Sequence, residues 1–298
     1  EEDLLQTFGQ PYSIDNHYEY WMVASSYLAY GGTMQVIRAN DAGLKNATED
    51  GAPELLIKSD THYNQLGYDD NTITGTVIAA KTPGSYANGI RVSIIDGKAD
   101  QILTVAGIST VGMGVTQSVS DRVVAGAAGT SLLDGYLKGI VTGIPETGKA
   151  EVKVLSHVSA AGTVTQVDYQ SNGVYCFKAS EIITPIAAGS NVGTGSTQVV
   201  SSQVDWFEQQ EIVLTTKDGN GNPIKLEWDS LADAPGTSSY AQARGGRHDE
   251  LHVIVIDDKG TITGNAGTIL EKHLNLSKAT DAEYSVCLLY TSPSPRDS

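Results

Sequence analysis

The apolar residues near the start of the chain recur at helical spacing. One face of the predicted helix carries residues spaced i, i+3, i+4, i+7 and i+8, namely Tyr20, Val23, Ala24, Tyr27 and Leu28. Asp15 or Asn16 can cap the start of this helix, and Gly31 stands where a left-handed cap would end it. Met34–Arg38 follows as a short predicted strand, so helix, tight turn and strand together indicate an α/β layer.

From residue 76 the pattern changes to short apolar runs separated by Gly- and Pro-containing turns. Ile90, Val92 and Ile94 alternate with polar residues, which is the period of a half-buried strand. Further strand candidates recur up to about residue 202, at Thr76–Ala79, Leu137–Val141, Val152–Val158, Val164–Tyr169, Val174–Phe177 and Gln198–Val199. Their spacing predicts a small antiparallel barrel or sandwich.

The mixed α/β pattern returns after residue 205. Glu211–Thr215 and Ile224–Trp228 flank Asp218–Asn222, which is a typical hairpin-turn sequence. His252–Asp257 is an apolar run of the kind found in buried strands. Thr268 and Glu271 have the spacing of a capping box, which predicts a helix there.

These elements together predict an α+β (mixed) fold in two domains. Residues 1–100 and 205–286 form a discontinuous α/β domain, and residues 101–204 form a β-rich, barrel- or sandwich-like domain inserted between its halves.

Charge limits the classes of partner. The chain has 298 residues, 40% of them hydrophobic, and a net charge of −16. A surface this negative repels nucleic-acid phosphates and anionic lipids, which argues against nucleic-acid binding and membrane-surface binding. No apolar run approaches the roughly 20 residues that a bilayer-spanning helix needs, so we expect no membrane insertion.

The two cysteines and the two ends of the chain add little chemistry. Cys176 and Cys287 are too few for a disulfide framework or a four-ligand zinc site. No charged-then-apolar leader follows Glu1, so no signal peptide is expected. The composition shifts abruptly at Cys287, and residues 287–298 are compatible with a sequencing adapter translated in frame. We expect this tail to be non-native, with a genuine Pro/Ser-rich tail as the alternative.

His248–His252 is the motif that most resembles a catalytic site. A zinc-hydrolase motif needs two histidines four residues apart on one helix face and a Glu directly after the first of them. Asp249 occupies the Glu position, and His252 opens a predicted strand, in which residues i and i+4 lie more than ten ångströms apart. We therefore expect a polar loop that enters a core strand, with a metal site as the less favoured alternative.

Other motifs have structural explanations. Asp218, Asn220 and Asn222 match the first ligands of a calcium loop, but Pro223 occupies the sixth position, which needs Gly, so a turn is expected. Gly112 and Gly114 are half of a dinucleotide fingerprint without the third Gly or a following helix.

The remaining candidates are expected to serve the fold. Asp257–Asp258 is a carboxylate pair next to a turn, with no basic residue expected in place to tune one of the two as an acid, and Cys176 is expected to be a small buried hydrophobe. The tryptophans, Trp21, Trp206 and Trp228, are expected to pack in the core or at its edge. We therefore assign no catalytic, cofactor-binding or metal-binding residue, and we expect that the protein is not an enzyme and has no cofactor.

Several short strings form a second kind of pattern, because they occur in a fixed order over most of residues 5–286. They are Thr7–Pro11, Tyr27–Gly32 after the Trp21 helix, Val36–Ala39, Pro83–Arg91, Ala234–Tyr240, Asp249–His252, Val255–Asp257, Gly264, Leu270–Lys272 and Leu276–Lys278. In order and spacing these strings resemble the tail sheath proteins of contractile-tailed, myovirus-type bacteriophages.

The resemblance implies a structural subunit. Its homo-oligomer would be hexameric rings stacked helically around the tail tube protein, with baseplate and tail terminator proteins as further partners. The sheath would be assembled in the host cytoplasm and belong to the virion, and its contraction would drive the tube through the host envelope for genome ejection. Interfaces exchanged between rigid subunits would do this work without nucleotide hydrolysis. Family members link subunits through terminal arms and a C-terminal domain, which are expected before Glu1 and after about Val286; residues 101–204 would face outward.

Two other classes of function remain open from the sequence. A secreted β-rich adhesin or carbohydrate-binding module would account for the Thr- and Gly-rich middle of the chain, but it would not account for the α/β halves. A metal-dependent hydrolase would need His248 and His252 on one face.

Overall fold

The structure is a computed structural model that describes residues 17–36, 43–65, 75–126, 129–187 and 193–279. It confirms a mixed fold that is mostly β with few helices, and its largest sheet is a curled half-barrel. Three predictions lie outside the described residues. They are the helix cap at Asp15 or Asn16, the end of the strand at residues 37–38, and the tail at residues 287–298.

The described helices are short. α1 spans His17–Ala29, α2 spans Asp60–Gln65 and α3 spans Ser239–Ala243. α1 is the helix predicted from the apolar spacing. It ends where Gly31 adopts a φ of +80°, a conformation that glycine takes without steric cost.

The strands in chain order are β1 (Ile90–Asp96), β2 (Gln101–Thr104), β3 (Gly114–Ser118), β4 (Val123–Gly126), β5 (Gly129–Leu132), β6 (Tyr136–Gly143), β7 (Lys149–Val158), β8 (Val164–Gln166), β9 (Ile182–Pro185), β10 (Gln198–Val199), β11 (Ser202–Asp205), β12 (Glu211–Lys217), β13 (Pro223–Glu227), β14 (Glu250–Asp257) and β15 (Thr268–Ser277). A three-stranded sheet has the order β1-β14-β15, and β12 with β13 and β4 with β5 form two-stranded sheets.

The eight-stranded sheet has the order β10-β9-β3-β6-β7-β2-β11, with β8 paired to β7. Every described pairing in it is antiparallel, as the sequence predicts. Buried and half-buried positions alternate along β6, because successive side chains of a strand point to opposite faces. The core of this sheet is apolar and includes Leu103, Val115, Leu137, Val152, Phe177 and Ile183. It is the main hydrophobic core of the described residues.

The chain enters and leaves the eight-stranded sheet at one place. β2 is its first strand in the sequence and β11 is its last, and the two pair antiparallel. Gln101 lies directly opposite Asp205 in this register. The whole segment between these two residues therefore begins and ends at one strand pair.

Cα proximity divides the chain into two compact units. The first comprises Glu1–Ser93, Leu214–Ile224 and Ile254–Lys272, and the second comprises Ile94–Val213, Lys225–Val253 and His273–Ser298. The second unit contains the eight-stranded sheet.

Several predicted elements are wrong. Thr268–Glu271 is the start of strand β15 and not a helix, and Val174–Phe177 is a series of bends and not a strand. Ala79 alone of Thr76–Ala79 makes a β-bridge, and residues 34–36 of the predicted strand Met34–Arg38 have no regular structure. The strand at Val164–Tyr169 stops at Gln166.

Side chains distant in sequence explain two of these errors. The carboxylate of Glu49 accepts hydrogen bonds from the backbone N–H groups of Val77 and Ile78, so those groups do not need a neighbouring strand. The bonds from Val77 and Ile78 also lower the pKa of Glu49. The carbonyls of Val174 and Cys176 accept hydrogen bonds from the guanidinium of Arg122 in the same way.

Candidate functional site

The two histidines of the zinc-like motif occupy different local structures. His248 lies in the loop before β14, with a φ of +56°, and His252 lies within β14. The motif therefore forms a loop that enters a core strand, as the sequence predicts, and the helix that a zinc hydrolase needs is not formed. Among the residues described by the structure, no group of three or more His, Cys, Asp or Glu side chains could hold a metal ion.

Both ring nitrogens of His252 have protein partners. The backbone N–H of Asn275 donates to Nδ1 at 3.0 Å, which requires Nδ1 to be unprotonated. Nε2 then carries the hydrogen and donates to the carbonyl of Asp233 at 2.8 Å. The side chain is almost fully buried. This imidazole therefore joins three segments of the second unit and has no lone pair left for a metal.

Structural contacts also hold Asp249, and its neighbour His248 has a shifted pKa. The backbone N–H and hydroxyl of Ser238 and the hydroxyl of Ser277 donate to the carboxylate of Asp249. Burial alone would raise the pKa of Asp249, but these hydrogen bonds outweigh it and hold the pKa below its ordinary value. Burial, together with the positive charges of Lys153 and Arg247, lowers the pKa of His248 to about 4, so His248 is neutral at pH 7.

A shallow pocket of about 400 Å³ lies beside this loop, with Tyr240, Arg244, Arg247 and Lys278 in its wall. Its cations already have partners. Arg247 pairs with Asp168, Lys278 is 3.4 Å from a carboxylate oxygen of Asp96, and Arg244 stacks 3.6 Å above the ring of Tyr240. His248 and Asp249 also line this pocket.

The carboxylate pair Asp257–Asp258 accepts many hydrogen bonds within the first unit. Both residues are buried. Three consecutive backbone N–H groups, of Thr261, Ile262 and Thr263, donate to Asp257 at 2.8–2.9 Å. Burial would raise its pKa, but these bonds outweigh burial and lower the pKa. Asp257 thus closes the turn that follows β14.

Asp258 binds two other segments. Its carboxylate accepts the backbone N–H and the hydroxyl of Thr215, at 2.8 and 2.7 Å, and the Nε–H of Arg91 at 3.1 Å. Burial would raise the pKa of Asp258, but the bonds from Thr215, Thr216 and Arg91 together lower it. The sequence-based statement that no basic residue accompanies this pair is therefore wrong. Arg91 lies 167 positions away, so the contact could not be read from the sequence.

The remaining candidates have structural roles. The carboxylate of Asp218 accepts the N–H groups of Asn220 and Asn222 within the β12–β13 turn, and these bonds lower its pKa. Gly112 occupies a turn with a φ of +86°, and Gly114 begins β3. Cys176 is fully buried, and burial raises the pKa of its thiol.

The tryptophans divide into two groups. Trp206 and Trp228 are buried, as predicted, and Trp206 Nε1 donates to Glu151 at 3.2 Å. Trp21 is only half-buried on α1.

Asp100 is the titratable group that the sequence analysis missed. It lies in the loop before β2, and its carboxylate accepts the backbone N–H of Val154 at 2.6 Å. Burial raises the pKa of Asp100 to about 6, although the Val154 bond and the charge of Lys153 oppose this shift. Burial also lowers the pKa of Lys153. No sequence signal links residues 100 and 153, because the strand pairing alone brings them together.

Asp100→Asn is expected to stabilise the protein at neutral pH. A carboxyl group whose pKa is higher in the folded state than in the unfolded state costs stability when it is ionised. That cost is complete above about pH 6 and is absent below about pH 4. The amide oxygen of Asn can still accept the Val154 N–H, so the free energy of unfolding should rise by about 2 kcal/mol at pH 7.5. Denaturant unfolding at pH 7.5 and 4.5 measures it.

The gain from Asp100→Asn should shrink at pH 4.5. Asp121→Asn, at an exposed turn position, is the matched control and should change the free energy of unfolding by less than about 0.5 kcal/mol at either pH. A loss of stability at pH 7.5 would show that the ionised carboxylate is needed.

α1 presents an apolar stripe to solvent. The α1 stripe is defined here as Tyr20, Val23 and Tyr27 of α1 together with Tyr30, which directly follows the helix; their exposed fractions are 72%, 69%, 53% and 95%. Tyr18 and Met22 of α1 are also exposed. Ser25 is the one buried residue of the described α1 side chains. The sequence identified the apolar face of this helix, but it could not show that the face is uncovered.

The comparisons with known proteins leave the site without a relative. No family model, no curated protein and no solved structure matches the chain. None of the helices in the described part of the chain has the length and apolar character that a bilayer crossing requires.

Proposed function

We propose that the chain is a structural subunit of a contractile phage tail sheath, which polymerises as stacked hexameric rings around a tail tube and contracts to drive the tube through the host envelope. The observation that carries the proposal is the fixed order of the sheath-like strings, from Thr7–Pro11 to Leu276–Lys278. The tube, baseplate and terminator proteins as partners, the virion location and the absence of enzyme activity are parts of the same proposal.

The use of the polar groups supports a structural role. Several of the described carboxylates and one imidazole bind backbone segments of their own chain. Asp257 and Asp258 hold backbone segments of the first unit, and Asp249 and His252 hold segments of the second. A subunit that moves as a rigid body while it exchanges interfaces needs hydrogen bonds between its own segments more than it needs a reactive group.

The exposed α1 stripe also supports the proposal. Aromatic residues and Met are enriched at protein interfaces, and charged residues are depleted there. α1 contains four tyrosine, tryptophan or methionine residues in its first six positions and has one acidic residue, Glu19. A protein that works in a polymer must present such a surface.

Negative-stain electron microscopy of the product of the complete gene tests the proposal, with the 298-residue chain imaged alongside. We expect long hollow tubes with a helical cross-striation from the complete product. Monodisperse monomers under assembly conditions would overturn the sheath proposal and favour a binding module.

The metal content of the purified chain separates the proposal from the hydrolase alternative. We expect zinc far below one atom per chain, because both nitrogens of His252 are hydrogen-bonded. Stoichiometric zinc that His248→Ala removes would contradict this expectation and restore the hydrolase hypothesis.

A further inference from the structure

We infer that Asn220 is a site of spontaneous covalent modification, at which its side-chain amide is converted to an aspartyl or isoaspartyl carboxylate with water as the co-reactant. The inference goes beyond the proposed function, because the reaction needs neither a sheath nor any partner protein. It rests on the sequence of the turn between β12 and β13, on its exposure and on the space around Gly221.

The reaction joins a side chain to the next peptide bond. The backbone nitrogen of Gly221 loses its proton and attacks Cγ of Asn220, the side-chain nitrogen leaves as ammonia, and a cyclic succinimide forms. Water then opens the ring at either carbonyl. Opening at Cγ gives Asp, and opening at the backbone carbonyl gives isoAsp, in which the main chain runs through Cβ and Cγ. This reactivity is one reason that Asn counts among the thermolabile residues.

A glycine after the asparagine favours the reaction. Since glycine has no Cβ, it leaves the attacking nitrogen uncrowded and lets the backbone turn toward the side chain. The chain has three such pairs, Asn88–Gly89, Asn172–Gly173 and Asn220–Gly221. The sequence does not rank these pairs, so the local structure of each must distinguish them.

Exposure separates the three pairs. Both members of the Asn220–Gly221 pair are exposed. In each of the other two pairs the asparagine is exposed but its glycine is not, because Gly89 is buried and Gly173 is half-buried. The nitrogen that must lose a proton to solvent therefore belongs to an exposed residue in one pair only.

The space around each glycine separates the pairs in the same way. A Cβ added to Gly89 would clash with the hydroxyl of Thr261, and one added to Gly173 would lie 2.7 Å from the Cβ of Gln170. A Cβ added to Gly221 would meet no heavy atom within 4 Å, apart from its chain neighbours. Ring closure requires the backbone to rotate, and of the three pairs the one at Gly221 has room to do so.

Asp218 slows the reaction from within the turn. Its carboxylate accepts the N–H of Asn220 at 2.8 Å, and its carbonyl accepts the N–H of Gly221 at 3.0 Å. The second bond must break before the nitrogen attacks, and the nearby negative charge disfavours loss of the proton. Such bonds in an exposed turn open at little cost in free energy. The N–H of Gly173 also donates to a carbonyl, so hydrogen bonding does not distinguish these two pairs.

The modification would change the charge and the shape of the turn. A carboxylate would replace a neutral amide close to Asp218, and like charges repel each other. IsoAsp would also lengthen the main chain between two N–H groups, of Asn220 and Asn222, that both bond to the carboxylate of Asp218. The turn of a chain that has aged in solution would then be looser than that of a fresh chain.

Peptide mapping by mass spectrometry of the 298-residue chain tests the inference after incubation in mildly alkaline buffer. Trypsin cuts after Lys217 and Lys225, so Asn220 and Asn222 lie in one peptide. We expect the mass increase that replacement of NH₂ by OH produces, located at Asn220 and divided between Asp and isoAsp. Asn222 is a control within the same peptide, since Pro223 has no N–H and cannot supply the attacking nitrogen.

The unfolded chain is the control that separates structure from sequence. In concentrated guanidinium chloride the three Asn-Gly pairs should react at comparable rates. In the folded chain Asn220 should react roughly tenfold or more faster than Asn88 or Asn172, because ring closure depends on local geometry. An Asn220 that keeps its amide in the folded chain but reacts in the unfolded one would overturn the inference. Equal rates at the three pairs of the folded chain would do the same.

Two variants of the turn test its mechanism. Asp218→Ala should accelerate the reaction at Asn220, whereas Asp229→Ala, at an exposed acidic position outside the turn, should leave the rate unchanged. Gly221→Asn should slow it, because Asn tolerates the left-handed conformation of Gly221 but crowds the nitrogen. Circular dichroism checks the fold of each variant. A rate that Gly221→Asn leaves unchanged would contradict the proposed attack by the Gly221 nitrogen.

Discussion

Asp258→Asn is expected to destabilise the first unit by about 3 kcal/mol at pH 7. The substitution keeps the shape of the side chain but turns one carboxylate oxygen into an N–H donor. That donor would face Arg91 Nε and the hydroxyl of Thr215, which both point at the carboxylate now. Removing one partner from a buried, hydrogen-bonded charge leaves the other groups unsatisfied, and this costs several kcal/mol. Denaturant unfolding gives the free energy.

Local and control measurements make the Asp258 prediction specific. Hydrogen exchange at the amides of Thr215 and Thr216 should accelerate, since both bond to Asp258. Asp229→Asn, at an exposed position, should change stability by less than about 0.5 kcal/mol. In a double-mutant cycle with Arg91→Met, the two losses should be less than additive. Additive losses would show that the Arg91 contact is not energetically coupled.

The effect of Asp258→Asn should also depend on pH. The pKa of Asp258 is lower in the folded state than in the unfolded state, so its ionised form stabilises the fold. That contribution is present above the unfolded pKa of about 4 and is lost as the pH falls through the folded pKa. The gap between wild type and variant should therefore narrow in acid.

Arg122→Met is expected to cost about 4 kcal/mol in the second unit. The side chain of Arg122 is 1% exposed. One terminal nitrogen donates to the carbonyls of Val174 and Cys176, and the other donates to Gln117 and to the carboxylate of Glu181 at 3.0 Å. Met fills similar volume but satisfies none of these acceptors, and Glu181 loses its counter-ion. Denaturant unfolding measures the loss.

The thiol of Cys176 reports the local effect of Arg122→Met. Cys176 is buried beside the Arg122 contact, so a thiol reagent should react slowly with wild type and faster with the variant. A Cys287→Ser background leaves Cys176 as the single thiol. Arg244→Met, at an exposed arginine stacked on Tyr240, is the control and should cost less than about 1 kcal/mol. An equal loss at both sites would contradict the assigned role of Arg122.

Local patterns predicted the elements that hold themselves together. The helical spacing predicted α1, alternation predicted strand β1, short apolar runs between turns predicted β6 and β7, and the Asp218 turn predicted the β12–β13 hairpin. In each case the decisive interactions join residues close in sequence or repeat at one period. The capping-box spacing at Thr268 led to a wrong helix prediction. β15 has no buried residue, so its sequence lacks the alternation of apolar residues that would have indicated a strand.

The centres that tie distant segments could not be predicted. Arg122 satisfies the carbonyls of Val174 and Cys176, and Gln101 accepts the N–H of Phe177, so this segment needs no strand neighbour. The apolar residues of Val174–Phe177 resemble those of a strand, but Cys176 and Phe177 are buried without a neighbouring strand. The Asp258–Arg91 pair depends on a separation of 167 residues, which no local pattern encodes.

The pairing of β2 with β11 affects how the chain can fold during synthesis. Arg91 leaves the ribosome long before Asp258, and closing a loop of this length costs chain entropy. Residues 101–205 can form their sheet in that interval, and the sheet brings Gln101 next to Asp205. Once the sheet has formed, residues 101–205 connect the chain before them to the chain after them over a short, fixed distance. The segments on either side of it, which carry Arg91 and Thr215, can meet Asp258 almost as if they were neighbours in sequence.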